Sequence, residues 1–291
     1  MARRRNIPHS QDRIKRKRKR ALWNFAAIFF VVILVVAGTA WGFSRPGLRI
    51  AHIEVSGNSV LGTNEIISFV NKEMNGKYAF LFPKDSILFY PKDRIKNDLL
   101  DSFKRILSIE VRAKDLTTLS ITINERKPYS LWCGETFLNG ATPINIPCYF
   151  TDKTGFLFAE APHFSDNVYV EFYGPLYREG SSTSTPGIIP EGSIFLPVPE
   201  FKTIDSFRDL LERIGFRSRA IIAMDAGDFT LIMRGGEKVL LNKNQDPTRL
   251  VSDIESAFRT ELGDPSDALV REHIEYIDAR FANKIFFKKK K

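Results

Sequence analysis

The chain is poor in the residues that build catalytic and metal centres. It has two cysteines and four histidines in 291 residues, and no histidine stands at a metal-type spacing from another ligand. The nucleophile elbow, the phosphate-binding loop and the dinucleotide-binding glycine pattern are all missing. A Cys133–His163 pair is the one nucleophile and base to consider, and nothing else in the sequence supports it. We therefore expect a binding protein without catalytic residues, metal, cofactor or small-molecule substrate.

Basic residues are concentrated at the two ends of the chain. The sequence has 43 Lys and Arg against 34 Asp and Glu. Residues 1–20 hold ten of the basic residues and one acid, Asp12, and so account for the whole net charge of +9. Lys288–Lys291 form a second, C-terminal basic tail. The part between the ends is slightly acidic and offers no footprint for phosphate binding, so we expect no nucleic acid partner.

One long stretch without charge, Ala21–Phe43, follows the N-terminal basic run. As a helix it would span about 34 Å, slightly more than the ~30 Å hydrocarbon core of a bilayer. Trp23 and Trp41 lie near its two ends, where their rings suit the headgroup region. Basic residues beside a span stay on the cytoplasmic side. We therefore predict a cytoplasmic tail over 1–20, a helix through the plasma (inner) membrane over 21–43, and extracytoplasmic domains after it.

The competing interpretation of this stretch is a cleaved signal peptide. Gly38-Thr39-Ala40 has the small residues of a cleavage site. A signal peptide normally has an apolar core of about 7–15 residues, and the apolar run here is longer. We therefore favour a permanent anchor in the lipid bilayer.

Five predicted elements follow the span in the order strand, helix, helix, strand, strand. The first strand covers Leu48–Val55, where apolar and polar residues alternate. The two helices begin with Thr63 as an N-cap and with Pro91 at the first position. Strands near Ile106–Arg112 and Leu119–Asn124 complete the module. This order predicts an α+β fold in which two helices cover a three-stranded sheet.

The sequence pattern over residues 128–287 predicts a second domain, a mixed β-sheet with helices. Short apolar strands and glycine-containing turns alternate with two amphipathic helices, one over 204–214 and one capped by Asp246. Residues 174–199 collect Gly, Ser, Thr and Pro, which is typical of a mobile surface loop.

Both cysteines, Cys133 and Cys148, fall after the predicted span. A disulfide is chemically permitted there, because an extracytoplasmic space can be oxidising. Two unpaired thiols are the alternative, and the sequence leaves the choice open.

Three local patterns are similar to those of the FtsQ/DivIB family of cell division proteins. Ile53–Asn58 resembles the family's opening strand and turn, and Glu125–Pro128 resembles its Glu-Arg-x-Pro signature. The charged pair in this signature either binds neighbouring groups or stays solvated at the strand end. Tyr276–Phe287 resembles the ending of the family's β domain, with Phe281 where tyrosine is usual and Lys284 in place of the turn glycine. A single span directly before the module, with a short basic tail, also fits that family.

The resemblance implies a POTRA domain over 48–127 and a β domain over 128–287. It implies a bitopic scaffold of the bacterial division machinery, located at the septum, that links assembly of the machinery to septal wall synthesis. It implies partners as well: the β domain would receive FtsB, which comes with FtsL as a membrane-anchored coiled coil. The residues predicted to bind the partner are Phe281 and Asn283, by family position, and their neighbours Arg280, Tyr276 and Ile285.

The last predicted strand, Ile285–Phe287, is short and apolar. If it lies at a sheet edge, its N–H and C=O groups would pair with a strand of another chain, and Lys288–Lys291 would guard that edge against self-association. The alternative role of Tyr276, Phe281 and Ile285 is packing in the core. Two other functions stay open: a POTRA-type anchored chaperone for exported polypeptides, and an anchored hydrolase whose pocket the sequence does not reveal.

Overall fold

The computed structural model describes residues 10–43, 45–79, 82–137, 147–164, 168–180, 183, 189–224, 227–281 and 284–290. One apolar N-terminal helix precedes a mixed arrangement of helices and strands that includes a large mixed sheet, and at this level the predicted fold is confirmed. The chain divides into two compact units. The first holds Met1–Ser102 and Ser108–Glu125, and the second holds Phe103–Leu107 and Arg126–Lys291.

Helix α1 (Ser10–Phe43) runs through the basic residues and the apolar stretch without a break. Its segment Lys17–Gly42 is long and apolar enough to cross a membrane. The large side chains of this segment point outward; Trp23 and Phe25, for example, expose 74% and 72% of their surface. Such a surface favours an apolar environment, and the helix is therefore compatible with a single membrane span.

The first unit also holds a three-stranded sheet, two helices and a short hairpin. After a 3₁₀ turn (Pro46–Leu48), its elements are β1 (His52–Ser56), α2 (Thr63–Glu73), β2 (Lys77–Tyr78), β3 (Phe82–Pro83), α3 (Lys92–Ser102), β4 (Ile106–Ala113) and β5 (Thr118–Glu125). The sheet order is β1-β5-β4, and β1 runs parallel to β5. The buried side chains of the helices stand four residues apart, near the helical period: Ile66 and Val70 in α2, Ile95 and Leu99 in α3.

Three predicted boundaries in this unit were wrong. Helix α3 begins at Lys92, so Pro91 precedes the helix instead of occupying its first position. The first strand begins at His52 because residues 48–50 hydrogen-bond to residues 85–87 instead of extending β1. Helix α2 has Gly62 as its N-cap, since Thr63 is already the first helical residue. These differences depend on contacts or on cap geometry that a local sequence pattern does not contain.

The second unit is built on a nine-stranded mixed sheet. Its strands are β6 (Ser130–Trp132), β7 (Tyr149–Thr151), β8 (Leu157–Glu160), β9 (Glu171–Tyr173), β10 (Tyr177–Arg178), β11 (Ser193–Ile194), β12 (Ser218–Ala223), β13 (Asp228–Met233), β14 (Lys238–Asn242), β15 (Ile274–Asp278) and β16 (Phe286–Lys289). Within the described residues, β10 and β11 pair with each other in a separate two-stranded sheet. The remaining nine have the order β16-β15-β14-β13-β12-β9-β6-β7-β8.

Helices α4 (Val198–Arg213) and α5 (Pro247–Glu261) pack on this sheet, and a short α6 (Ala268–Glu272) leads into β15. The cap predicted for α5 is confirmed: the Asp246 carboxylate accepts a hydrogen bond from the Arg249 N–H at 2.8 Å, and Pro247 follows the cap. The residues that the two long helices bury in the core are Phe201, Ile204, Phe207 and Leu211 of α4 and Leu250, Val251, Ile254 and Phe258 of α5.

The prediction of a mobile loop over 174–199 was wrong for both flanks of that stretch. β10 and β11 lie within it, and α4 begins at its end. Leu176, Phe195 and Leu196 belong to the buried core of the second unit. Residues 181–182 and 184–188 lie outside the described residues. The loop composition came from the middle of the stretch and concealed the few apolar residues at its ends that fill the core.

Cys133 and Cys148 are joined by a disulfide, with their Cα atoms 4.2 Å apart. The alternative of two unpaired thiols is therefore wrong. The bond closes a loop over a sequence separation of 15 residues, and a loop of that length contributes about 3 kcal/mol by restricting the unfolded chain. Residues 138–146 of the loop lie outside the described residues.

Candidate partner-binding edge

The last strand of the chain is an edge strand. β16 pairs with β15 in antiparallel fashion, with Ile277 opposite Phe287 and Asp278 opposite Phe286. No strand in the described part of the chain pairs with the other side of β16. An edge strand presents a row of main-chain N–H and C=O groups to other chains. β16 therefore lies at a sheet edge, as strand addition by another chain requires.

The main chain of β16 has an inner and an outer side. The Lys290 N–H donates to the His273 carbonyl at 2.8 Å and therefore points toward the preceding strand. Successive N–H groups along an antiparallel strand point to opposite sides. The N–H groups of Phe287 and Lys289 consequently point away from β15, toward the edge where another strand would lie.

Side chains alternate along this segment between the core and the surface. Ile285 and Phe287 pack against the core, and the ring centroid of Phe287 lies 5.8 Å from that of the buried Phe258 in α5. Phe286, between them, is 50% exposed. The inward side chains hold the strand in its register, and the outward one is free of the core.

Phe281 and Phe286 form an exposed aromatic pair. Their rings meet edge to face with centroids 5.8 Å apart, and Phe281 is 51% exposed. The alternative that Phe281 is a core residue is therefore wrong. Adjacent exposed apolar rings mark a surface on which a partner can bury apolar area. Phe286 was not among the predicted contact residues; its position between Ile285 and Phe287, which pack inward, is the signal that could have identified it.

The other predicted contact residues differ in their surroundings. Tyr276 is half-buried on β15, and the Lys288 ammonium nitrogen lies 5.5 Å from its ring centroid. Ile285 is packed against the core, so the core-packing alternative describes it better than a partner contact does. Asn283 lies outside the described residues.

Arg280 fixes the backbone that leads into Phe281. Its Nε and Nη2 donate to the two carboxylate oxygens of Asp278 at 2.9 and 2.7 Å, and its Nη1 donates to Asp228 Oδ2 at 3.1 Å. The hydrogen bonds from Arg280 lower the pKa of Asp278, and the same bonds raise the pKa of the guanidinium. Because its guanidinium is hydrogen-bonded to Asp278 and Asp228, Arg280 holds the backbone before Phe281 in place and is not itself available to a partner. Asp228 lies 52 positions earlier in the chain, and no sequence signal marked it as the second partner.

Charged side chains flank the edge on both sides. Lys288 and Lys289 are exposed on β16, and the Lys288 ammonium lies 3.0 Å from the Glu275 carboxylate, which raises the pKa of the lysine. A groove between α5 and β16 is bordered by the acidic Asp253 and Glu261. A segment that lies along this edge would therefore meet basic groups on the strand and acidic groups on the helix.

No family model matches this chain, and no curated protein matches it. The architecture itself is an apolar N-terminal helix followed by two units of helices and strands. The sheet of the second unit has β16 as an open edge strand. Within the described residues, no three His, Cys, Asp or Glu side chains are grouped as a metal ion would require.

Proposed function

We propose that this protein is a bitopic scaffold of the bacterial cell division machinery, of the FtsQ/DivIB type. α1 anchors it in the plasma membrane with the N-terminus in the cytoplasm, and β16 receives a strand of an FtsB-like partner that is itself bound to an FtsL-like protein. The observation that carries the proposal is the position of β16 at the open end of the nine-stranded sheet, with the exposed Phe281–Phe286 pair beside it.

The first unit supports this assignment through its element order. Strand, helix, helix, strand, strand is the order of a POTRA domain, and β1 lies beside β5 in a three-stranded sheet. The short β2–β3 hairpin is an addition between the two helices. The basic residues Lys17–Arg20 at the cytoplasmic end of the span favour the orientation in which both units lie outside the cytoplasm.

In strand addition, main-chain hydrogen bonds would provide the affinity, and side-chain contacts would provide the selectivity. The outward N–H groups of Phe287 and Lys289 would donate to carbonyls of the added strand. An apolar side chain of that strand would cover Phe281 and Phe286, and burial of the two half-exposed rings would contribute roughly 2 kcal/mol. In such an interface a few rings would carry most of the side-chain contribution.

Two charge substitutions test the assignment. We expect Phe281→Lys and Phe286→Lys to reduce co-purification of the full-length chain with its FtsB-like partner roughly tenfold, the equivalent of about 1.4 kcal/mol. Val168→Lys is the matched control, because Val168 is 63% exposed and precedes β9, five places from β16 in the sheet. Circular dichroism of each variant checks that the fold is retained.

Equal recovery of the partner by all three variants would contradict the proposal. Capture of many unrelated extended polypeptides, undiminished in the two phenylalanine variants, would instead favour the POTRA-type chaperone. Fluorescent fusions in dividing cells test the septal location independently: a uniform signal around the envelope would contradict it.

A further inference from the structure

Among the described residues of the first unit outside α1, five large apolar side chains are exposed, and three of them lie in turns that flank the residues after α1. Leu88, Phe89 and Leu116 expose 59%, 43% and 60% of their surface. Leu88 and Phe89 lie in the turns that follow β3, and Leu116 lies in the turn between β4 and β5. We call these three residues the apolar rim.

Main-chain pairing places the first part of the rim beside the residues that follow α1. The Ile50 N–H donates to the Asp85 carbonyl at 2.8 Å, and the Ile87 N–H donates to the Leu48 carbonyl at 3.0 Å. The two segments therefore run antiparallel. Because of this direction, the chain that continues from Ile87 to Leu88 leads back toward the end of α1.

Leu116, the other part of the apolar rim, also lies near the residues that follow α1, on the side of β5. β1 runs parallel to β5 with His52 opposite Thr118, and the Ala51 N–H donates to the Thr117 carbonyl at 2.8 Å. Going back along the chain from Thr118 to Leu116 therefore also leads toward α1. Both turns flank the first extended residues after the span, and two strands that flank a third lie about 10 Å apart.

The link between α1 and this pairing is short. α1 ends at Phe43, and Leu48 is the first paired residue. Five residues span at most about 18 Å when fully extended, and the 3₁₀ turn Pro46–Leu48 shortens that reach. If α1 crosses a bilayer, the apolar rim cannot lie far from the headgroup region.

We propose that the apolar rim enters the outer leaflet of the membrane, so that the first unit contacts lipid at a second place besides α1. This inference rests on the proposed anchoring by α1. Leucine and phenylalanine side chains suit the boundary between headgroups and acyl chains. Lys84 directly follows β3, in the turn that precedes Ser86, with its ammonium 5.7 Å from the Tyr78 ring centroid. A lysine of this kind can extend its charge to lipid phosphates while its stem packs on apolar surface.

Site-specific labelling tests the lipid contact. Cys133 and Cys148 are bonded to each other, and the described residues contain no free cysteine. Single cysteines introduced as Leu88→Cys and Leu116→Cys can therefore carry an environment-sensitive NBD label. The full-length chain is reconstituted into vesicles of phosphatidylethanolamine and phosphatidylglycerol, and quenching by headgroup-proximal spin-labelled lipid is measured.

Two further positions serve as references. Val60→Cys is the matched control: Val60 is 66% exposed, and its N–H donates to Glu125 at the opposite end of β5, about 24 Å from the start of that strand. Phe30→Cys reports on α1 itself, because Phe30 lies in the middle of the span and is 60% exposed.

The inference predicts blue-shifted emission for the labels at Leu88 and Leu116 and roughly twofold more quenching than at Val60. A label at Phe30 that stays in water would overturn the anchoring by α1. If the label at Phe30 lies in lipid but the labels at Leu88 and Leu116 are as exposed to water as the label at Val60, the lipid contact of the rim would be overturned and the anchor would stay intact. Equal quenching at all three positions of the first unit would overturn the placement of the rim as its membrane-facing end.

Discussion

Glu125 closes the turn after β1. Its carboxylate accepts hydrogen bonds from the N–H groups of Ser59, Val60 and Leu61 at 2.8 to 3.1 Å, and the residue is only 9% exposed. Burial raises the pKa of this carboxyl, but the three backbone donors outweigh the burial and lower the pKa. The alternative of a solvated strand end is therefore wrong for Glu125.

Arg126, the next residue of the signature, binds within the second unit. Its guanidinium pairs with the Asp152 carboxylate and lies 3.9 Å from the Phe156 ring centroid. Asp152 also accepts hydrogen bonds from the Thr154 N–H and hydroxyl at 2.7 and 2.6 Å, as a turn aspartate does. Two adjacent charged residues thus stabilise two different compact units.

Replacement of Glu125 tests its structural role. We predict that Glu125→Gln destabilises the first unit by about 1–3 kcal/mol, because the amide lacks the charge that strengthens the three hydrogen bonds. The pKa of Glu125 is lower in the folded than in the unfolded chain. Its stabilising effect is therefore complete above the ordinary carboxyl pKa and disappears as the pH falls through the lowered folded value.

Hydrogen exchange at the amides of Ser59–Leu61 in the detergent-solubilised full chain measures this effect between about pH 7 and about pH 3. Glu54→Gln is the control, since Glu54 pairs with Lys114 at the exposed surface at 2.8 Å, where an ion pair contributes little to stability. Equal acceleration of exchange in both variants would argue against a special role for Glu125.

β16 is the proposed binding element, and its main chain can be tested separately from its side chains. We predict that Lys289→Pro weakens binding of the FtsB-like partner roughly tenfold, because proline removes an outward N–H. The ladder to β15 should persist, since the Lys290 N–H supplies the neighbouring inward bond to His273. The measurement is the affinity of the full-length chain for the partner.

Lys289→Ala is the matched variant, because it removes the charge and keeps the N–H. Near-normal affinity of Lys289→Ala beside a weakened Lys289→Pro would identify the main chain as the binding group. Equal losses would assign the effect to the lysine charge and argue against strand addition.

Local chemistry was sufficient to predict those elements whose ends carry their own signals. Asp246 and Pro247 begin α5 as predicted, and Gly215 ends the region of α4 with a backbone φ of +101°, which favours glycine. The start of β1 was not predictable, because residues 48–50 pair with a segment 37 positions away in sequence. Phe195 was missed for the same kind of reason: burial is a property of the assembled core, while composition describes only the surrounding stretch.

The candidate site was predicted in the same uneven way. The short apolar last strand raised the possibility of a sheet edge without establishing it, and Phe281 was named through the family resemblance, with core packing as the alternative. The roles of Phe286 and Asp228 depend on which side of the sheet each residue faces and on a pairing between distant strands. A single sequence contains neither kind of information directly.

The whole molecule combines a membrane-compatible helix with two small folded units, one of which offers an open strand. Tethering gives such an edge an advantage that its small contact area alone would not. If the proposed partner is anchored in the same bilayer, it would meet the edge at a high effective concentration, and modest strand pairing would then be sufficient for stable association. Lys288 and Lys289 are exposed on this edge, and we expect their charges to disfavour pairing with a second copy of the strand.

Hydrogen exchange along β16 with and without the FtsB-like partner tests the central claim most directly. The full-length chain is held in a lipid bilayer, and the amides of Phe287, Lys289 and Lys290 are compared. We predict that partner binding slows exchange at Phe287 and Lys289 roughly tenfold or more and leaves Lys290, already bonded to His273, nearly unchanged. Saturating partner binding with no added protection at Phe287 and Lys289 would contradict the account.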